Sequence, residues 1–322
     1  MEPHRRDDAQ APAGHVSGPS LDAADDLSAH RTMLFGLAYR LTGSAHDAED
    51  VLQDAYLRMR QVDRAVVLEP QRYLTRVVTR LALDVLRARQ ARRETYVGPW
   101  LPEPLPTGHA PAPVGLPEEI AVRDDTLSIA VLHLMERLSA PERAVYVLRT
   151  AFGLPYAEIA EVLDREPAHC RQLHHRAAAA LAADRRRYPA DRREHARLLD
   201  AFVAAARDAD LDTLRRLLRA DVSAWSDGGG RVNSARREIR GADKVARFFA
   251  AIYSRDRGAL DARPVAINGG AGVIVSRPRG AHALTLAVTD GSVSGIYLIS
   301  NPVKLTRLMT PLRGTRQDAG TA

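Results

Sequence analysis

Apolar residues along the first third of the chain recur at helical spacing. Between 44 and 59, Ala48, Val51, Leu52, Ala55, Tyr56 and Met59 fall on one stripe, and after Pro70 so do Leu74, Val77, Val78, Leu81, Val85 and Leu86. Ser44 followed by Asp47 reads as a helix start resembling a capping box. The stretch GPWLPEPLPTGHAPAPVGLPE (98–118) then ends the periodicity, because its prolines and glycines suit neither helix nor strand interior. Helical spacing returns over 119–188. Ser139-Ala140-Pro141-Glu142 opens one helix, Pro155 precedes another, and Pro167 starts a third on which Cys170, Leu173, Ala177 and Leu181 form the packed stripe.

Two further helices are expected from about 192 to 218, and from 219 onward the pattern turns towards strands. GVIVSR (272–277) and HALTLAV (282–288) are β-rich runs, and Thr289-Asp290-Gly291-Ser292 joins the second to Val293–Ile299. An Asp-Gly pair between such runs signals a hairpin. The fold class is therefore multidomain: two all-α helical domains, then an α+β domain with helices first and a curved antiparallel sheet after them. The expected boundaries are a tail over 1–26, helical units over 27–96 and 119–188, a Pro-rich linker over 97–118, the α+β domain over 192–306, and a tail over 307–322.

Charge changes this picture more than composition does. The 322 residues carry 46 Lys+Arg against 40 Asp+Glu, a formal net charge of +6, and 45% are hydrophobic, enough to bury real cores. Only Lys244 and Lys304 are lysines, and codon bias in a GC-rich genome would favour arginine in this way. Bias does not explain the clustering. Residues 44–69 hold six acids and three arginines, net −3; residues 72–93 hold seven arginines and one acid, net +6; residues 165–193 hold eight arginines and three acids, net +5. Arg72, Arg76 and Arg80 lie four apart on one helix ridge, and Arg87 follows a turn beyond Asp84.

Several classes are excluded. One cysteine, Cys170, rules out an internal disulfide framework and Cys-rich zinc sites. No apolar run approaches the length of a membrane span, and the amino terminus has no apolar core of a secretory signal, so a cytoplasmic protein with no membrane partner is expected. His169, His174 and His175 lack the spacing that puts two ligands on one helix face, so no metal and no cofactor is expected. The short helices on either side of Asp164-Arg165-Glu166, the second turning Arg171, Gln172 and His175 outward, fit a DNA-reading helix-turn-helix.

An acidic helix, a basic helix, a flexible linker and a helix-turn-helix together resemble an extracytoplasmic-function sigma factor of the sigma-70 family. LFGLAYRLTGSAHDAEDVLQDAYLRM (34–59) resembles its core-polymerase-binding part, PQRYLTRVVTRLALDVLRARQARRETY (70–96) its minus-ten part, and PYAEIAEVLDREPAHCRQLHHRAAAAL (155–181) its minus-thirty-five reader. YVGPWLPEPL (96–105), Asp227-Gly228-Gly229-Gly230 and Asn301-Pro302-Val303-Lys304-Leu305 resemble the motifs of the group with a SnoaL-like carboxy-terminal extension, a cone-shaped nuclear-transport-factor-like fold. The family has Asp where Val303 stands, and Gly where Asp164 stands; Asp tolerates the left-handed backbone that turn requires.

The resemblance implies roles. Asp47, Glu49, Asp50, Gln53 and Asp54 would dock on core RNA polymerase. Arg76, Arg80, Asp84 and Arg87 would hold promoter DNA where the strands open, with an extruded base near the 63–70 loop. Arg165, Arg171, Gln172, His175 and Arg176 would contact the upstream duplex. Trp100, Leu101, Pro102, Glu103 and Pro104 would meet Asp227, Gly228, Gly229, Gly230, Asn301, Pro302, Lys304 and Leu305, so that the extension packs on the linker and regulates in cis. No separate anti-sigma factor would then be required, and a small ligand in the extension stays open. Two rivals remain at this point: a stand-alone helix-turn-helix regulator, and a SnoaL-like cyclase or isomerase, with Asp227, His282 and Asp290 as acid–base candidates, fused to a DNA-binding module.

Overall fold

The computed structural model describes residues 21–63, 66–92, 96–107, 127–185, 192–256 and 259–309. The first helical unit is α1 (Leu21–Thr42), α2 (Ala45–Met59) and α3 (Pro70–Arg92). Leu34, Leu37 and Leu41 of α1, Val51 and Leu52 of α2, and Leu74 and Val78 of α3 close its core. The helix starts at Leu21, inside the stretch read as tail.

The second unit is α4 (Ile129–Met135), α5 (Ala140–Thr150), α6 (Tyr156–Leu163) and α7 (Pro167–Arg185). Ser139 and Glu142 form the expected capping box at α5. Cys170, Leu173, Ala177 and Leu181 are buried, as their spacing predicts. Between α6 and α7, Asp164 adopts φ 55°, ψ 59°, the left-handed conformation the turn requires. We expect Asp164→Gly to be neutral or stabilising by up to about 1 kcal/mol, and Asp164→Val to cost about 1–2 kcal/mol, because a β-branched side chain crowds that backbone. Denaturant unfolding of the full chain checks both.

The two helical units share one hydrophobic core rather than sitting apart, with α3 packed on α5 and α6. Arg143 is buried at their junction, pairing with Glu136 and donating from Nε to the Arg40 carbonyl at 3.1 Å.

The carboxy-terminal unit consists of α8 (Arg192–Asp208), α9 (Leu211–Leu217), β1 (Leu218–Asp227), β2 (Ile239–Arg240), α10 (Ala242–Ser254), β3 (Asp261–Ile267), β4 (Gly270–Arg277), β5 (Gly280–Thr289), β6 (Ser292–Ile299) and α11 (Pro302–Met309). One six-stranded sheet runs in the order β2-β1-β6-β5-β4-β3. The predicted hairpin joins β5 to β6, and Asp290 and Gly291 both have positive φ, as a primed turn demands.

The structure corrects three expectations. The sheet is not wholly antiparallel: β1 pairs in parallel with β6, because α10 and four strands separate them in the chain and no tight turn sets their directions. Helix α10 interrupts the region read as strands; Val245, Ala246, Phe249, Ala250 and Tyr253 are all buried at helical spacing. Residues 307–309, read as tail, complete α11.

The sheet has two covered faces. Val222, Ala224, Leu284, Leu286, Ile296 and Leu298 pack against α8, α9 and α10 with Phe202 and Phe249. On the opposite face, Ile274, Ala283, Tyr297 and Ile299 meet Leu101 of the linker, Ile129 of α4 and Leu305 of α11. The alternation along each strand thus serves two cores, one belonging to the unit and one shared with the rest of the chain.

Candidate interdomain site and nucleic-acid surfaces

The linker does not hang free. Residues 101–105 are all buried, and Leu101 and Leu105 are almost wholly covered. Asp227, at the end of β1 with 0% exposure, is the centre of this contact. Its carboxylate accepts from Tyr96 Oη at 2.6 Å, the Leu101 N–H at 2.8 Å, the Gly229 N–H at 3.0 Å and Lys304 Nζ at 2.7 Å. Lys304 also donates to the Leu101 carbonyl and sits 4.1 Å from the Trp100 ring centre. Burial pulls the Lys304 ammonium down from the ordinary lysine range, and Asp227 opposes that pull. Burial, followed by the Asp227 charge, raises the Tyr96 phenol.

The glycine and Asn-Pro motifs shape this centre. The Ser300 and Asn301 N–H groups donate to the Asp227 carbonyl at 2.7 and 2.9 Å, tying α11 to β1. Gly229 has φ +60°, and a Cβ there would lie 2.2 Å from Asn301 Nδ2. The glycines at 228–230 thus sit in close contacts, made by the loop itself, Asn301 and Val97 rather than by another chain segment's backbone. Val303 is exposed, and its N–H donates to Asn301 Oδ1 at 3.1 Å.

Glu103 carries the linker into the first helical unit. Its Oε2 accepts from the Ala45 and His46 N–H groups at 2.8 and 3.1 Å, satisfying the open amides of the α2 N-terminus. Ser44 does accept from the Asp47 N–H at 3.2 Å, but Asp47 does not close the expected box: the Ser44 N–H donates to Thr42 Oγ1 at 3.3 Å, and Glu103 takes the next two amides. Arg307 of α11 approaches Glu103 at 3.5 Å and Glu49 at 4.0 Å.

Sequence reasoning missed Asn268. It is buried with φ 53°; it accepts from the Leu105 N–H at 2.8 Å and donates to Tyr39 Oη and the Leu127 carbonyl, both at 2.7 Å. One β-turn side chain thus touches the linker, α1 and the lead-in to α4. The Asn268-Gly269 pair is a turn signal, yet nothing in it announces these partners.

The acidic face is partly engaged within the chain. Asp47 pairs with Arg89, and Glu49 with Arg31 at 2.5 Å, whereas Asp50, Gln53 and Asp54 are exposed. The arginine ridge is not wholly outward either. Arg72 pairs with Glu161 of α6 at 2.6 Å and Arg80 Nε donates to the Val162 carbonyl at 3.1 Å, because α6 packs across α3. Arg76 lies over the Tyr73 ring, and Asp84 and Arg87 pair with each other at 2.9 Å, both exposed. Beside the 63–70 loop a cavity of about 180 Å³ is lined by Val66, Leu68, Tyr73 and Arg76, with Glu161 and Val162 as its far wall. On α7, Arg171, Gln172 and His175 are exposed; Arg165 stands near His169 and Arg176 pairs with Glu142 at 3.3 Å.

The acid–base candidates occupy separate settings. Asp227 belongs to the interdomain contact, His282 is buried with Nε2 2.7 Å from Tyr253 Oη, and Asp290 is a hairpin-turn residue 89% exposed at its side chain. Among the described residues no His/Cys/Asp/Glu cluster could hold a metal ion, and no helix is long and apolar enough to cross a membrane.

Comparison with known proteins agrees with this architecture. Sigma-70 region 2 matches residues 27–92 and Sigma-70, region 4 matches residues 128–181. The ECF RNA polymerase sigma factor SigJ of Mycobacterium tuberculosis is 37% identical over 90% of this chain and 95% of its own length. The probable ECF RNA polymerase sigma factor SigI of the same species is 31% identical over 89% and 96%. The crystal structure of SigJ superposes with a TM-score of 0.70 at 34% identity, covering 88% of this chain and 98% of that one. The chain belongs to the extracytoplasmic-function RNA polymerase sigma factors. It therefore works with core RNA polymerase on promoter DNA to start transcription, and it is not an enzyme. Because the relatives match through the carboxy-terminal unit as well, neither the stand-alone regulator nor the cyclase fusion is favoured.

Proposed function

We propose that this sigma factor is regulated from within its own chain, its carboxy-terminal unit holding the linker and, through it, the two helical units in a closed arrangement. The observation carrying this reading is the buried Asp227–Lys304 pair, which engages both the N–H and the carbonyl of Leu101. Such an internal device removes the need for a separate anti-sigma factor, and a small ligand of the extension would act on the same contact. The protein acts in the cytoplasm, where core polymerase is.

In the active state, Asp47, Glu49, Asp50, Gln53 and Asp54 dock on polymerase. Arg76, Arg80, Asp84 and Arg87 hold the opening minus-ten region, and a base unstacked at a cost of a few kcal/mol enters the cavity beside Val66 and Leu68. Arg165, Arg171, Gln172, His175 and Arg176 grip the upstream duplex. The contacts of Arg72 with Glu161 and of Arg80 with Val162 must break first, since they tie the helix that carries the minus-ten arginines to α6 of the second helical unit.

In vitro transcription with core polymerase tests this reading. Removing the chain from residue 193 should change promoter output, and Arg80→Ala with Arg87→Ala should abolish strand opening while the chain still binds polymerase. Unchanged output from the truncated chain would refute the regulatory reading. Normal opening by the arginine variant would refute the minus-ten assignment.

A further inference from the structure

The loop from β1 to β2 carries cations that none of the roles above uses. Between residues 231 and 240 four arginines stand against one acid, Glu238. Arg240 takes up that acid at 2.8 Å. Arg231, Arg236 and Arg237 are exposed, and among the described residues none of the three has a carboxylate partner. Several other arginines of the same unit are paired, Arg215 with Asp212 and Asp243, Arg219 with Asp221, and Arg247 with Asp243, and exposed ones such as Arg255, Arg263 and Arg279 are spread along the chain rather than clustered. Codon bias accounts for arginine over lysine, but not for three uncompensated guanidinium groups within seven residues. Their mutual repulsion costs the fold and gains nothing inside it.

The loop is also held in place. The Arg231 and Val232 N–H groups donate to the Gly228 carbonyl at 3.0 and 3.2 Å. A Cβ on Gly228 would lie 2.4 Å from the Val232 carbonyl oxygen, and one on Gly230 would lie 3.3 Å from Val97. The backbone of Arg236 rests against Gly98, 3.6 Å from where a Cβ on that glycine would be. The cations are thus displayed from a braced base, beside the chain that leaves the arginine-rich helix α3. Cationic surface of this kind, ordered and without internal partners, fits a polyanion of regularly spaced phosphates, which a guanidinium fork binds without reading sequence.

We propose that the β1–β2 loop is a third nucleic-acid contact of this sigma factor, in which Arg231, Arg236 and Arg237 grip backbone phosphates of promoter DNA. The carboxy-terminal unit then acts on DNA directly as well as on the linker. This goes beyond the regulatory reading and rests only on the chain's working at a promoter.

The test uses holoenzyme reconstituted from core polymerase and the full chain, with promoter duplex affinity measured between about 50 and 200 mM salt. Each phosphate neutralised contributes about 0.9 to the slope of log affinity against log salt, so Arg231→Ala/Arg236→Ala/Arg237→Ala should lower that slope by up to about 2.7. The Arg→Lys triple variant, which keeps charge, should retain most of the slope. A control triple with the same charge change at exposed positions elsewhere in the unit, Arg255→Ala/Arg263→Ala/Arg279→Ala, should leave it as in the unaltered protein. An unchanged slope in the loop variant overturns the proposal, and so does an equal fall in the control. A loss confined to affinity for core polymerase, with the DNA slope intact, would assign the loop to a protein contact and overturn it as well.

Discussion

Replacing Lys304 by methionine is expected to cost about 3 kcal/mol and to release the linker from the carboxy-terminal unit. Removing one partner of a buried ion pair typically costs about 3–5 kcal/mol, because the charge left behind has been desolvated without compensation. The carboxylate of Asp227 would keep three donors, Tyr96 Oη and the Leu101 and Gly229 N–H groups, which places this change at the lower end. Asp227→Leu removes the acceptor of all four donors and leaves the Lys304 ammonium facing the Leu101 carbonyl and the Trp100 and Tyr96 rings with no carboxylate bonded to it, so a cost of about 5 kcal/mol is expected. The double variant Asp227→Leu/Lys304→Met should recover much of this, because no unpaired charge then remains. Denaturant unfolding followed by tryptophan emission reads the effect directly. Both tryptophans of the chain, Trp100 and Trp225, lie at this interface. Single-variant costs below about 1 kcal/mol, or additive costs in the double variant, would show that the pair does not bind the linker.

The two-part character of that contact explains how much of it was legible. Helical stripes such as Leu74–Val78–Leu81 and the left-handed Asp164 follow from local rules: a period of 3.6, and the backbone tolerance of Asp. The Asp290-Gly291 hairpin follows from the turn geometry those two residues favour. Leu101 and Asp227 were named from motifs, but their bond joins residues 126 positions apart, and periodicity carries no information at that separation. Asn268 was missed for the same reason: its partners come from three segments that only the assembled fold brings together. The parallel β1–β6 pair is likewise a product of topology, since neither strand's sequence encodes its neighbour's direction. Glu103 shows the limit most plainly. Its motif marked it as a linker residue, and the amides it caps belong to a helix whose own sequence already supplied a serine cap.

Acid should weaken the carboxy-terminal unit well before its carboxylates titrate. His282 is wholly buried with its Nε2 against Tyr253 Oη, and burial, aided by the nearby positive charge of Arg277, pushes its pKa down to about 3. In the unfolded chain the same ring has a pKa of about 6.5. Between these values the unfolded state holds a proton that the folded state refuses, so stability rises with pH and is lost as pH falls below about 6.5. At about pH 5 the gap of roughly 1.5 units amounts to about 2 kcal/mol. His133, packed beside Trp225 and Tyr297 and lowered to about 4 chiefly by burial, with Glu136 opposing and Arg137 adding to the shift, acts in the same direction. Glu142 and Glu238 also have lowered values, but their stabilisation is lost only below the ordinary glutamate range, so the interval from about pH 7 to pH 5 isolates the histidines. Unfolding free energies measured across that interval should fall by about 2–4 kcal/mol. The paired replacement Tyr253→Phe/His282→Leu removes the titrating ring without stranding the phenol, and should reduce the fall by about 2 kcal/mol. A flat profile between pH 7 and pH 5, or an undiminished fall in the paired variant, would place the acid sensitivity outside His282.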